Sequence, residues 1–527
     1  MKKISRLALG LAGLVGLAAI TGLEAEEAKT PVPGGTLNMI AQPEPPILMV
    51  GLNTQGPTLY VGGQIYQSLL TYGTGLEVLP SLAKAWDVSE DGLTYSFTLQ
   101  DGVKWHDGQP FTAEDVVFTA DKFLREAHPR WRYIASTYVE SVTSPAPGKV
   151  IFQLKKPFSA FLYAFELSSF PVVPKHIYEG TDYRTNPANQ TPVGTGPFKL
   201  EEWKRGSYIH LVKNEDYWKP GQPYLDELYF RIIPDAASRA VAFEKGAVDV
   251  LRGGDVEGFA VRRLAKLDGV ETTTAGWEMY SPVVFLQMNT RKAPLDEKRV
   301  RQAVMHALDR EFIVKNVFFG LGKPATSPVA STTRFHSQDV AAYPFDMAKA
   351  KALLDEAGVK PAEHTLRLMP IPYGSQWDRL AEYVKQQIEQ LGFKVSIQGV
   401  DPGGWSQALS EWDFDMTFNF TYQYGDPALG VARHYLSANI IKGTPFGNNQ
   451  GYVNPKVDEL LLAGASAVSA EDAAKAYAEA QKILTEEVAL GWLYEMHNVT
   501  ISREKVKNLV TTGIGLNEAM DEVWLAK

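Results

Sequence analysis

From residue 36 onward, apolar positions recur with two spacings, every second residue in some segments and near every 3.6 in others, with turn residues between. Leu93, Tyr95, Phe97 and Leu99 alternate and predict a strand. The turns Asp101-Gly102 and Asp107-Gly108 follow. Thr112, with Asp115 three residues on, then marks a helix start whose inward face is Val116, Ala120, Phe123 and Leu124. Residues 197–212 read as a hairpin turning at Arg205-Gly206-Ser207. Next, Leu228, Phe230 and Ile232 alternate, Asp235 is placed to cap a helix through Glu244, and residues 247–251 form a short buried strand.

The second half repeats this logic at larger scale. A helix from Asp296 presents Val300, Ala303, Val304, Ala307 and Leu308 at helical spacing, and a helix over 346–357 stops at Gly358. Residues 365–369, 375–391 and 393–397 spell strand, helix and strand, and Phe414, Met416, Phe418 and Phe420 a further strand. A right-handed crossover makes such strands parallel and gathers their carboxyl ends on one edge, where open α/β sheets bind ligands. The loops expected there are 370–376, 399–406 and 421–429, which carry Tyr373, Trp405, Tyr422 and Tyr424 among the polar groups Gln376, Asp401, Gln423 and Asp426. The matching loop of the first half, 275–281, holds Trp277, Glu278 and Tyr280. The expected fold class is α/β, with two lobes facing each other across aromatic loops that enclose an organic ligand. Each ring read singly fits a core position as well, and Asp426-Pro427 fits a plain turn.

At 527 residues the chain exceeds what one core of about 250–300 residues sustains, so two or more domains are expected. Hydrophobic residues at 45% and charged residues at 21% match a soluble globular protein. Lys2, Lys3 and Arg6 precede an apolar run over 7–23, interrupted by four glycines, and Glu24, Glu26 and Glu27 follow. That succession is the layout of a secretory leader, with cleavage expected after Ala25. Cysteine is absent, which removes disulfides, thiolate metal sites and an N-terminal lipid anchor. A secreted chain with neither lipid nor membrane span fits a periplasm. The net charge is −9, and the leader carries three positive charges and one negative, so the chain without it stands at −11. Nucleic acid is excluded as a partner on that balance.

Catalytic signatures are missing: the sequence has no Gly-x-Ser-x-Gly elbow, no His-Glu-x-x-His and no phosphate loop with lysine. Gly513-Ile514-Gly515 lacks a third glycine. Nine histidines are scattered, and only His106-Asp107 stands close enough to suggest a metal site, where an Asp-Gly turn explains it better. No catalytic residue, cofactor or metal is expected.

Several stretches resemble the extracellular solute-binding family 5 of bacteria, the peptide- and nickel-type binding proteins. They include Gly34-Gly35-Thr36-Leu37, Leu79-Pro80-Ser81-Leu82-Ala83, Asp101-Gly102-Val103-Lys104-Trp105-His106-Asp107-Gly108, Val193-Gly194-Thr195-Gly196-Pro197-Phe198, Asn214-Glu215-Asp216-Tyr217-Trp218, Asp413-Phe414-Asp415-Met416 and Gly451-Tyr452-Val453-Asn454-Pro455. The resemblance implies a bilobal periplasmic-binding-protein fold with an extra domain inserted in the first lobe. Its expected boundaries are 26–68, 194–288 and 497–527 for the first lobe, 69–193 for the insert and 289–496 for the second lobe. It further implies a monomeric, non-enzymatic subunit of an ABC importer that captures a small organic solute, peptide or peptide-like, and delivers it to permease subunits in the inner membrane. An oligosaccharide or a metal chelate is the alternative cargo, and a secreted hydrolase the alternative class. Peptide-binding relatives carry an acidic residue four positions before the proline of the Asp/Glu-Pro pair, where this chain has Gln423. The arginine some relatives carry in the loop matching 369–376 is also missing. The expected ligand is therefore neutral or blocked at its amino end, or else Glu278 or Asp426 supplies the charge.

Overall fold

Alternating apolar residues become strands wherever one face can be covered, and the first such strand, Thr36–Ile40, buries Leu37 and Met39 completely. The computed structural model describes residues 30–527, so the expected leader lies outside the described residues. Thr36–Ile40 pairs in parallel with Glu227–Arg231, which continues antiparallel to Tyr208–Lys213 and Phe198–Lys204. The last two strands are the expected hairpin, with Gly206 at φ +72° in its turn. Asp235 caps the helix Ala236–Glu244, its carboxylate accepting the Ser238 N–H at 2.7 Å. Val250–Leu251 and Val270–Thr273 flank Thr500–Arg503, which brings the end of the chain back to this lobe.

A separate antiparallel sheet runs in the order Ala83–Val88, Thr94–Leu99, Lys149–Leu154, Val139–Ala146. It shares one continuous hydrophobic cluster with the first sheet, from Leu37 through Phe97 and Phe165 to Phe230. Before the helix Ala113–Phe118, Thr112 and Asp115 form a capping box. The Thr112 N–H donates to Asp115 Oδ2 at 2.8 Å, while Asp115 Oδ1 takes the Lys175 N–H. His106 Nε2 meets the Gly196 carbonyl at 2.9 Å, and Asp107 pairs with His176, so this stretch ties loops together.

The second lobe is built on a six-stranded mixed sheet, ordered Gly322–Pro324, Gly491–Met496, Val283–Met288, Met416–Thr421, Thr365–Met369, Lys394–Ile397. Val283–Met288 is buried at every position because helices cover both faces of the sheet. Thr365–Met369, the helix Ser375–Gln390 and Lys394–Ile397 form the expected βαβ unit, and Met416–Thr421 joins it in parallel. Lys298–Ala307 starts two residues later than expected, capped by Glu297 rather than Asp296, with Val300, Ala303, Val304, Ala307 and Leu308 all fully buried.

One expected loop is a helix. Pro402–Glu411 is capped by Asp401, whose carboxylate accepts the Gly404 N–H at 2.7 Å, and it ends at Trp412 with φ +62°. The two chain crossings between lobes lie side by side, joined where the Met496 N–H donates to the Pro282 carbonyl at 2.9 Å. Among the described residues no helix is long and apolar enough to cross a membrane.

Candidate functional site

The parallel strand Met416–Thr421 ends at the boundary between the lobes, and the chain beyond it turns back across Tyr280. The Gln423 N–H donates to the Tyr280 carbonyl at 2.7 Å, and the Gly425 N–H to the Met279 carbonyl at 2.9 Å. This pairing brings together four of the expected rings, of which Tyr280 and Tyr424 are buried in the hydrophobic cluster of the first lobe while Trp277 and Tyr422 are half-buried against it. Tyr280 lies edge-on to Trp277 at 6.1 Å, Tyr422 at 5.6 Å and Tyr424 at 6.0 Å, separations at which aromatic edges and faces attract. Phe420 extends the wall from Tyr422 at 5.6 Å to Trp377, stacked at 6.2 Å. Tyr422 is half-buried, and that burial raises its hydroxyl to about 12, offset in part by the Arg252 charge. The Tyr280 hydroxyl is buried with no hydrogen-bond partner among the described residues.

Gln423 is placed differently from the expectation. Its side chain is fully buried, its Oε1 accepts the Ala330 N–H at 3.3 Å, and its Nε2 points at the Pro328 carbonyl. The amide therefore holds the segment around 328–330 rather than facing a ligand. Asp426 is likewise committed. It caps Pro427–Gly430 through the Ala428 N–H at 2.9 Å and pairs with Arg334 at 3.2 Å. Burial raises its carboxyl to about 6, and the Arg334 charge opposes that rise. Asp426 thus has no charge to spare for a ligand ammonium. Glu278 accepts the Gly276 N–H at 2.8 Å and lines a small cavity of about 120 Å³ with Trp277, Ser281, Thr332 and Asn498.

Trp405 is a correction. It sits inside the helix Pro402–Glu411, is 1% exposed, and donates its indole N–H to Thr417 Oγ1 at 3.0 Å. A ring with its only polar atom already satisfied inside the second lobe's core is no ligand platform. Tyr373, by contrast, is 49% exposed and opens into a cavity of about 290 Å³ between the lobes. The first lobe supplies Arg239 and Glu257 to its lining, and the second Phe319, Trp377 and Arg379. Gln376, also expected at the site, lines the same cavity.

Sequence reasoning missed the cations. Arg130, at the start of the helix Pro129–Tyr138, lays its guanidinium 3.5 Å from the centre of the Tyr424 ring. It also binds Glu166, Ser168 and Ser169. Arg252 stands 5.3 Å from the Trp277 ring and 5.1 Å from Tyr60. Arg334 stands 4.6 Å from Tyr163 of the opposite lobe. Arg433 donates to Thr421 Oγ1 at 3.1 Å and to His434 Nε2 at 3.2 Å. The one legible signal was the arginine inside the apolar run Val431-Ala432-Arg433-His434-Tyr435-Leu436.

The lobes touch on both flanks of this wall. On one side the Ser159 N–H and Oγ donate to the carbonyls of Ala465 and Gly464 at 2.8 and 3.0 Å, and on the other Arg262 donates to the Phe319 carbonyl at 2.8 Å. The open space beside this cluster is the small cavity at Trp277 and Glu278 and the larger one at Tyr373, Gln376 and Trp377.

Residues 77–441 match the family model described as "Bacterial extracellular solute-binding proteins, family 5 Middle". The chain is 28% identical over 520 residues to the oligopeptide-binding protein AppA of Bacillus subtilis, covering 93% of this chain and 92% of that one. It is 29% identical over 455 residues to the dipeptide-binding protein of Escherichia coli, covering 81% and 82%. In structure it is similar to the ABC transporter-associated periplasmic binding protein DppA of Helicobacter pylori, solved with the peptide STSA. That likeness has a TM-score of 0.80 and 26% identity, over 94% of this chain and 99% of that one. The family match over more than half its length and the bilobal α/β fold show that this chain belongs to the bacterial extracellular solute-binding proteins of family 5.

Proposed function

We propose that the protein captures a peptide or peptide-like solute in the cleft between its lobes and hands it to the permease of an ABC importer. It acts as a monomer in the periplasm after its leader is removed. The observation that carries this reading is the wall formed by Trp277, Tyr280, Tyr422 and Tyr424, assembled from both lobes and set among guanidinium groups. Aromatic faces accept the side chains and planar amides of a peptide with little sequence preference, while guanidinium groups fix its polar ends. The relatives named for oligopeptide and dipeptide binding support the same cargo.

The buried acidic partner that a free ammonium would need is not on this wall, since Gln423 faces backbone and Asp426 is neutralised by Arg334. A cargo whose amino end stays near the Glu278 cavity, or is blocked, suits the site better. The test is calorimetry with short peptides and their N-acetylated forms against wild type and Tyr422→Ala. Acetylated forms are expected to bind the wild type as well as free ones, and Tyr422→Ala to weaken both by about tenfold, in line with the loss of a buried aromatic contact. Binding that needs the free ammonium and ignores Tyr422 would refute this reading of the wall.

A further inference from the structure

Of the four guanidinium groups around the aromatic wall, two are matched by carboxylates and two, Arg252 and Arg433, have none among the described residues; Arg252 donates to the Gly56 carbonyl at 3.2 Å and stands over Tyr60 and Trp277. Arg130 is matched by Glu166 at 3.1 Å and Arg334 by Asp426 at 3.2 Å, each carboxylate being fully buried. Arg433 has no carboxylate within ion-pair reach among the described residues; its partners there are the neutral Thr421 hydroxyl and the His434 imidazole. His434 is fully buried, and burial pushes its imidazole far below the usual range, so it accepts from Arg433 as a neutral ring. Those two bonds leave most of the five N–H donors of the guanidinium unused among the described residues. The side chain is half-buried, its guanidinium held on Thr421, the last residue of the strand Met416–Thr421, near enough to feel the Arg130 charge. Burial and the nearby Arg130 charge both lower its guanidinium from its ordinary value. An arginine held in that way is a fork awaiting an anion, and a planar carboxylate fits it with two parallel hydrogen bonds.

We infer that Arg433 is the anchor for a carboxylate on the captured solute, with Tyr424 and Arg130 forming the opposite side of the clamp. The inference rests on the reading of the cleft as the solute site, and it narrows the cargo to carboxylate-bearing molecules. Because Arg433 belongs to the second lobe and Arg130 to the first lobe's cluster, an anion between them is held fully only when the lobes meet. The carboxylate therefore contributes to closure as well as to affinity.

The experiment uses two matched pools of random tripeptides, one with free carboxyl ends and one amidated, and a third probe, glutarate, that contains no peptide bond. Members retained by the protein on ultrafiltration are identified by mass spectrometry. Wild type is expected to retain acids over amides by about tenfold or more, Arg433→Gln to lose that preference, and Arg433→Lys to keep part of it. Equal retention of acids and amides by wild type overturns the clamp while leaving peptide capture standing. Retention of neither pool overturns the peptide reading instead, and glutarate then decides the clamp. Thermal stabilisation of wild type by glutarate that is absent in Arg433→Gln supports it, and no stabilisation of wild type overturns it. Melting of the unliganded Arg433→Gln variant at the wild-type temperature shows that the substitution leaves the fold intact. If it melts lower, Arg433→Lys carries the comparison.

Discussion

Asp426 shows how one buried residue can tie stability to pH. Its carboxyl is raised to about 6 from an ordinary value near 3.8, chiefly by burial. In the folded chain it therefore holds its proton at pH values where the unfolded chain has lost it. The unfolded state binds fewer protons between about pH 4 and 6, so this group's contribution falls as pH rises through that window. A shift of this size corresponds to up to about 3 kcal/mol. Asp426→Asn keeps the cap on Ala428 but cannot titrate, so the stability of wild type relative to the variant should be greater at pH 4 than at pH 7. Urea unfolding at the two pH values checks this, and a difference independent of pH would show that Asp426 is not perturbed. The same residue marks what sequence could not supply. Asp426 was legible as a polar group in the right loop, but its neutralising partner Arg334 lies 92 positions earlier in the chain, and no local pattern connects them.

The helix Pro402–Glu411 carries the main lesson for elements. Gly403 and Gly404 weaken helix propensity, and the segment follows a strand end, so the pattern reads as a loop. Asp401 and Pro402 were the opposing signal, a cap followed by proline at the first helical position, and the structure follows them. Once the segment is helical, Trp405 turns inward against Thr417 and Met416–Thr421. Trp405→Ala is accordingly expected to destabilise the second lobe by about 3–5 kcal/mol, the usual cost of truncating a buried aromatic ring. Calorimetric melting checks this; a variant that melts like wild type but binds poorly would restore Trp405 to the ligand wall. Elements with strong alternation or a full apolar helical face, such as Thr94–Leu99, Glu227–Arg231 and Ser375–Gln390, were legible because burial on one face alone fixes their register. Tyr422 and Tyr424 were expected beyond the carboxyl end of a parallel strand, and Met416–Thr421 does end just before them.

At the scale of the whole molecule, function depends on two lobes that meet around a solute. Gly425 sits at that meeting, with φ +70°, and a Cβ there would lie 2.9 Å from Tyr163 of the opposite lobe and 3.2 Å from Met279. Gly425→Ala is expected to hinder closure through this clash and the backbone strain, and to weaken ligand affinity without removing any ligand contact. Small-angle scattering of the variant with a bound tripeptide should show a more extended particle than wild type. An equally compact particle would mean the lobes can meet without this close approach.

The most direct measurement is native mass spectrometry of the purified protein after exposure to a proteolytic digest of an unrelated protein. One solute per chain is expected, released on denaturation and fragmenting as a short peptide or peptide derivative with a free carboxylate. A chain that stays bare in the presence of the digest, or carries a solute without peptide bonds in preference to everything the digest offers, would contradict capture of a peptide-like cargo between the lobes.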